Sequence, residues 1–388
     1  MNVAILGFGT IGSGVYEIIE NRNSSFLQDK HVVRVLDLPQ NKDKLNIITS
    51  DINDITKDDS IEVVVETLGG VHPAYEFIMA CLQSGKHVVT ANKAVVAAYL
   101  HEFVQEARKN NVHFLFEAST GGGIPWLASI QKARRIDTIQ SFYGIFNGTS
   151  NFILDYMCRE DKDFGDALKL AQDLGYAEAD PSADINGYDV QNKVVISSAL
   201  AFDSYVDMKV FPAFSMAKVT IDDIHYLKTK DLSIKYIGEA QVVNDVYEAF
   251  VMPNIFPVSS LEANVNTNFN LCTLYGETIG DLKFYGQGAG KLPTANAIIQ
   301  DILDIAADNI EYDVNVDKAI EYCDTLLSNI YLIRSQNELN DEQIATKEWY
   351  NGKCYMYTNA LYTKDFVALA EKVLANDSDA LIAKVANF

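Results

Sequence analysis

Clustered positive charge is what this chain has least of. Its 31 lysines and arginines face 53 aspartates and glutamates, for a formal net charge of −22. Phosphate backbones are held by grouped Lys and Arg that displace counterions, so no nucleic-acid partner is expected. Cysteine is sparse too: Cys81, Cys158, Cys272, Cys323 and Cys354 are scattered, odd in number and never spaced as C-x-x-C. That pattern gives no support to a zinc site or a disulfide framework, and it fits a reducing cytoplasm. There is no run of about 20 apolar residues, so neither a transmembrane helix nor a membrane partner is expected. The apolar N-terminus lacks a basic lead-in and carries four glycines between Gly7 and Gly14, which argues against a signal peptide. Low-complexity segments and fixed-period repeats are absent as well. What remains is an ordinary globular composition. With 388 residues, 48% of them hydrophobic, the chain can bury a large core in two or three domains.

The first third reads as alternating strands and helices. "NVAILGFGTIGSGVYEIIENR" is a short apolar strand, a glycine turn and a helix, with Gly7, Gly9 and Gly12 forming G-x-G-x-x-G. That spacing suits a tight turn, a pyrophosphate close to the backbone, and a helix packed on its strand. Thr10 and Ile11 complete the loop, whose N–H groups would meet the pyrophosphate at the helix N-terminus. A second strand, "HVVRVLDL", ends at Asp37, 25 residues past Gly12, where a carboxylate can accept the adenosine ribose hydroxyls. It also reads as an aspartate opening the turn "PQNKDK". "SIEVVVETLGG" is nearly all apolar, as befits a strand covered on both faces, and runs into Thr67. A helix, the strand "KHVVTANK", a further helix and the strand "VHFLFEAS" follow. The alternation predicts a Rossmann-type doubly wound parallel sheet, with ligands at the carboxyl ends of its strands. Lys93 and Glu117 both fall at such ends. "EASTGGGIP" is compatible with a flexible turn or with carbonyls facing a ligand or a hard cation.

Past Pro125 the pattern changes to an α+β layer. A strand leads to a polar turn at 147–150, including Thr149, and to a helix starting near Asn151. "FGDALKLAQDLGYAEADP" is an amphipathic helix stopped by Gly175 and finished by Pro181. The stretch "DPSADINGYDVQNK" then crowds Asp180, Asp184, Asp189 and Lys193 together, just after Glu178. Asp189 and Lys193 are four residues apart, on one face of a helix. A surface ion pair worth a few tenths of a kcal/mol explains the spacing equally well. The surrounding Val190, Val194, Val195 and Ile196 are apolar, though, and a lysine in such a setting is suited to proton transfer. Further on come strands, then "GQGAG" before a long helix, which places Gly290 at another helix N-terminus.

Together these blocks resemble the homoserine dehydrogenase family. The family signature is met by Ala171, Gly175, Asp180–Pro181, Asp184, Ile185, Gly187, Asp189 and Lys193. "GFGTIGSG", "VVETLGG", "SGKHVVTANK", "EASTGGGIP", "GIFNGTSNFIL" and "GQGAGKLPTA" occur in family order, and the likeness spans about residues 2–325. It implies NAD(P)-dependent interconversion of L-homoserine and L-aspartate 4-semialdehyde in threonine and methionine biosynthesis. By position, Lys193 matches the proton donor or acceptor, Asp189 its orienting carboxylate, and Lys93 a lysine near nicotinamide and substrate. Glu178 and Asp184 match groups for the substrate amine, with Gly175 and Thr149 lining its site. Gly7, Gly9, Thr10, Ile11, Gly12, Asp37, Thr67, Lys93 and Gly290 fall to the cofactor. Glu117, Thr120, Gly122 and Ile124 match a sodium site. Family likeness also implies a homodimer or homotetramer.

Two features depart from the family pattern. Many relatives carry an arginine for the 2′-phosphate of NADP where this chain has Leu36 and Asp37. That favours NAD, although Lys42 and Lys44 offer charge for NADP. The tail from about 326 exceeds the minimal enzyme and reads as two strands, a helix and a last strand. Some relatives append an amino-acid-sensing domain of β–α–β–β–α–β order, for which this tail is short. A truncated sensor and a dimer-stabilising appendage are both open. The expected division is a dinucleotide domain at 1–127 with a return helix at about 293–325, a substrate and dimerisation domain at 128–292, and an extension at 326–388. The rival readings are a non-catalytic dinucleotide-binding sensor and another semialdehyde or hydroxy-acid dehydrogenase on the same scaffold.

Overall fold

The computed structural model describes residues 1–386 apart from 22, 208, 309–313 and 316–317. The Lys42 side chain and the 309–313 and 316–317 portions of the expected return helix thus lie outside the described residues. Two units emerge. The first comprises Met1–Asp137, Val195–Val206 and Gly286–Ala319, the second Thr138–Val194, Asp207–Tyr285 and Ile320–Phe388.

The first unit is built on six parallel strands: β1 (Asn2–Leu6), β2 (His31–Leu36), β3 (Ile48–Thr49), β4 (Ile61–Glu66), β5 (His87–Thr90) and β6 (Phe114–Leu115). Helices α1 (Thr10–Asn21), α2 (Asn53–Thr56), α3 (Ala74–Gln83) and α4 (Lys93–Lys109) alternate with them, and α5 (Trp126–Arg134) follows. The spatial order is β3-β2-β1-β4-β5-β6. Direction of winding reverses between β1 and β4, which opens a crevice at their carboxyl ends. Val63, Val64 and Val65 are fully buried, the mark of a strand covered on both faces. Val63 and Val65 share a core with Val3, Ile5, Val15, Ile19 and Leu115, and with Ile298 and Ile302 from a helix at Lys291–Ala307. Each such side chain contributes roughly 1.5–3 kcal/mol when fully buried, so the apolar pattern alone specifies this layer.

The second unit carries β7 (Ile139–Ile145), β8 (Leu232–Val243), β9 (Val246–Pro257), β10 (Phe269–Gly276), β11 (Gly280–Gln287), β12 (Glu321–Tyr322), β13 (Ser328–Ser335), β14 (Ile344–Tyr350), β15 (Lys353–Thr358), β16 (Leu361–Tyr362) and β17 (Leu381–Val385). Their main order is β11-β10-β7-β8-β9-β17-β13-β15-β14. Its helices are α6 (Gly148–Glu160), α7 (Phe164–Asp173), α8 (Ser182–Ile185), the first half of α9 (Tyr188–Ala201), α10 (Ile221–Lys228) and α12 (Thr363–Asn376); the helix Lys291–Ala307 of the first unit is α11. The β8–β9 hairpin turns through Asn244 and Asp245, both at positive φ (50° and 63°). Two such residues make the tight turn whose twist matches paired strands.

The doubly wound sheet with an attached α+β layer is the expected fold class. Three local expectations are corrected. The strand in "VHFLFEAS" shrinks to Phe114–Leu115, because Glu117 turns away in a short 3-10 segment to meet the start of α5. α6 begins at Gly148 rather than near Asn151, because Asn147 caps it by accepting from Ser150 N–H at 2.7 Å. The tail holds three longer strands before its helix rather than two, and they extend the second unit's own sheet.

Candidate active site

The glycine loop after β1 has the form its spacing predicts. Gly7 takes φ +94°, and a Cβ on Gly12 would lie 2.0 Å from the Gly7 carbonyl, so α1 packs directly on the turn. A Cβ on Gly9 would meet nothing within 4 Å, leaving open space where a ligand can approach the backbone. Thr10 begins α1, and Ile11 rests against the core. Thr67 fastens β4 to this loop, its hydroxyl donating to the Leu6 and Gly7 carbonyls at 3.0 Å each. Asp37 faces the loop from β2: one oxygen accepts from Phe8 N–H at 3.2 Å, the other from Leu38 N–H and the Asn41 amide. Lys44 stands exposed in the turn Pro39–Lys44.

Beside that loop, Glu66 ends β4 with no exposure at all. It accepts from the Thr90 hydroxyl and from Leu68 N–H (2.8 Å), with the Asn92 amide 3.5 Å away. Burial pushes its carboxyl above the usual range, against the pull of those donors. Asn92 caps α4 through Val95 N–H and donates to Gly70 O at 2.6 Å. Lys93 is the first residue of that helix and is partly buried. Glu66 was missed in the sequence, where its signal is a carboxylate ending an otherwise apolar strand.

Glu117 is buried and spans the N-terminus of α5, accepting from Leu127 N–H at 3.0 Å and Ala128 N–H at 2.7 Å. A carboxylate is favoured at a helix N-terminus. Next to it, Thr120 Oγ1 is buried without a hydrogen-bond partner among the described residues. Gly122, at φ +57°, would drive a Cβ to 2.4 Å from the Gly288 backbone, and Gly123 N–H donates to Gln287 O. Two glycine loops therefore lie backbone against backbone, with Ile124 buried behind them and Gly290 (φ +119°) opening α11. Among the described residues no cluster of three or more His, Cys, Asp or Glu is arranged to hold a metal ion.

The second unit assembles the lysine and its carboxylates. A Cβ on Gly238 of β8 would lie 2.5 Å from Val190 and 2.7 Å from Val194, so only glycine lets α9 settle on the sheet there. Seated this way, α9 buries Asp189 and Lys193 rather than leaving them as a surface pair. Lys193 Nζ donates to Asp189 Oδ2 at 2.7 Å and to Phe146 O at 2.6 Å. Asn147 bridges both aspartates, its amide donating to Asp184 Oδ1 at 2.7 Å and Asp189 Oδ2 at 2.8 Å. Two carboxylates against one ammonium leave excess negative charge, which suits a ligand carrying an amine. Asn147 was missed in the sequence, where it reads only as the start of the polar turn at 147–150.

Other expected residues sit apart from this cluster. Thr149 donates to Tyr176 O at 2.5 Å. Gly175 (φ +76°) ends α7 in a paired cap: its own N–H reaches Gln172 O, and Tyr176 N–H reaches Ala171 O. Glu178 stands exposed after that turn, and its side chain makes none of the cluster's hydrogen bonds.

Comparison with known proteins decides what this arrangement belongs to. A family model described as homoserine dehydrogenase matches residues 125–303, and one described as homoserine dehydrogenase, NAD binding domain, matches residues 7–117. The homoserine dehydrogenase of Bacillus subtilis is 36% identical over 317 residues, spanning 78% of this chain and 72% of that protein. The chain belongs to the homoserine dehydrogenase family. A Synechocystis homoserine dehydrogenase is similar at 37% identity over 79% of this chain and 73% of its own length. Among solved structures, a homoserine dehydrogenase from Thiobacillus denitrificans superposes with a TM-score of 0.89 at 29% identity, covering 100% of this chain and 98% of that one. The Staphylococcus aureus homoserine dehydrogenase gives 0.77 at 28%, covering 100% and 99%. As a homoserine dehydrogenase, the protein is an oxidoreductase of amino-acid biosynthesis that interconverts L-homoserine and L-aspartate 4-semialdehyde with a nicotinamide cofactor. The rival of a non-catalytic sensor falls with that assignment. No helix among the described residues is long and apolar enough to cross a membrane.

Proposed function

We propose that Lys193 moves the proton in this reaction and that Asp189 holds it in place. The observation carrying this is donor arithmetic: an ammonium has three N–H bonds, and Lys193 spends two of them, on Asp189 and Phe146 O. The third is left for a substrate oxygen. When bound, the nicotinamide cofactor supplies or accepts the hydride at the carbonyl carbon. Lys193 then protonates the forming alkoxide, or in reverse takes the C4 hydroxyl proton. Asp184 and Asp189, tied together by Asn147, supply the negative charge for the substrate ammonium, with Glu178 joining from its exposed turn. Gly175 and Thr149 shape the segment that carries Glu178. Lys93 serves the nicotinamide end from the start of α4.

Gly7, Gly9, Thr10, Ile11 and Gly12 take the pyrophosphate, Thr67 and Gly290 close its surroundings, and Asp37 takes the adenosine ribose. Asp37 would repel a 2′-phosphate, so NAD is preferred to NADP. For a monovalent cation, the carbonyls of the 120–124 loop and the remaining lone pairs of Glu117 form an oxygen donor set of the right hardness. The unpartnered Thr120 Oγ1 marks that loop as short of a partner. Residues 1–127 with α11 would then handle the cofactor, 128–292 the substrate, and 326–388 act as a stabilising appendage of a homodimer or homotetramer. With all five cysteines free, a reducing cytoplasm fits.

The test follows reduced nicotinamide by absorbance, with L-homoserine and either NAD or NADP. NAD should turn over faster, and Lys193→Met should lower kcat by about 10²–10⁴-fold with cofactor binding intact. Faster turnover with NADP would sink the role of Asp37. Near-normal kcat in Lys193→Met would sink that of Lys193.

A further inference from the structure

Glu66 is an odd residue to find where it is. It is fully buried, and it has no ion-pair partner among the described residues. Leaving a carboxyl in such a place is costly unless its hydrogen bonds do something that an apolar residue could not. What they do is join two loops. On one side is the segment after β4, reached through Leu68 N–H, with Gly69 and Gly70 both at positive φ (77° and 70°). On the other is the turn after β5, reached through the Thr90 hydroxyl, which itself accepts from Asn92 N–H at 2.9 Å. Asn92 closes the circuit by donating to Gly70 O. Both loops stand at strand carboxyl ends on the β4–β5 side of the crevice. The glycine loop and Asp37 stand on its β1–β2 side.

We propose that Glu66 is a positioning residue for the nicotinamide half of the cofactor. It clamps Leu68–Gly70 to Thr90–Lys93, so that Lys93 and the backbone of both loops are set before the cofactor arrives. The adenosine half is held on the opposite side and does not depend on the clamp. The inference rests on the cofactor placement proposed above, and it concerns the first unit alone.

Two ligands separate the halves: NADH, and ADP-ribose, which lacks the nicotinamide. Dissociation constants for both would be measured by calorimetry on the full-length enzyme and on Glu66→Ala and Glu66→Gln, with melting temperatures alongside. Glu66→Ala should weaken NADH by about ten- to a hundredfold and leave ADP-ribose unchanged. Glu66→Gln keeps an acceptor for Leu68 N–H, so it should show the same selective loss in smaller measure, and it serves should the alanine variant not fold. Equal loss of both ligands, or loss of neither, in the variants that fold overturns the proposal. Asp37→Ala is the control for the placement itself and should weaken both ligands. If it weakens neither, the cofactor reading fails; if it behaves and Glu66 variants are not selective, only the clamp fails.

Discussion

Lys235 shows what a buried charge costs when no carboxylate meets it directly. It lies in β8 at 2% exposure, donating to Asn151 Oδ1 at 3.1 Å and Val265 O at 2.6 Å. Burial lowers it from the usual 10.5 to about 8. Below pH 8 the lysine is protonated whether folded or unfolded, so the burial penalty is fully present. Between pH 8 and 10.5 the unfolded chain keeps a proton that the folded protein has released, so stability rises with pH. Denaturant unfolding of wild type and Lys235→Met across that window should show wild type gaining up to about 3 kcal/mol on the variant as pH rises. A flat difference would mean the lysine stays charged in its pocket. In the sequence, Lys235 looked like any strand lysine. Lys193 was legible because its partner Asp189 is one helical turn away. Asn147 and Glu66 act on residues far along the chain, and no local pattern reports that.

Among elements, α9 and β8 form the contact on which the lysine cluster depends. Gly238→Val would push a branched side chain into Val190 and Val194, where even a Cβ is too close. Overpacking of this kind costs about 1–3 kcal/mol and displaces the helix rather than unfolding the chain. The expected result is a folded enzyme whose kcat falls sharply while cofactor affinity holds, read by steady-state kinetics and NADH titration. Unchanged kcat would show that α9 can shift without harm. The helix itself was plain in the sequence, but β8 was not. Its burial runs nearly unbroken from Ile234 to Gly238, so it lacks the alternation that marks a half-covered strand. The better signal was the Asn244–Asp245 pair between two apolar runs, a hairpin turn in chemical terms.

At the scale of the molecule, the parallel sheet was readable because each of its strands is local, apolar and punctuated by glycine. The second unit's sheet was not, because it is assembled from strands up to hundreds of residues apart. Its tail is locked in place by Arg334, which pairs with Asp223 at 2.8 and 2.9 Å and also donates to Lys218 O and Asp379 O. Tyr355 adds its hydroxyl to the same aspartate. Removing one partner of a buried pair strands the other, so Arg334→Met should cost about 3–5 kcal/mol in unfolding free energy. The double variant Arg334→Met/Asp223→Asn should recover part of that, and no recovery would assign the loss to packing. β17 sits between β9 and β13, joined to β13 by five residue pairs from Ile330↔Val385 to Arg334↔Leu381, but among the described residues to β9 by two, Lys384↔Asn254 and Val385↔Ile255, with Ala386 N–H donating to Ile255 O just beyond. That makes the β9–β17 junction a seam. Thermal fluctuation should unzip the tail there as one cooperative piece, ahead of global unfolding. Amide deuterium uptake would then show β13, β15 and β17 exchanging at a shared rate, faster than β8 and β9, and Arg334→Met would quicken that rate alone.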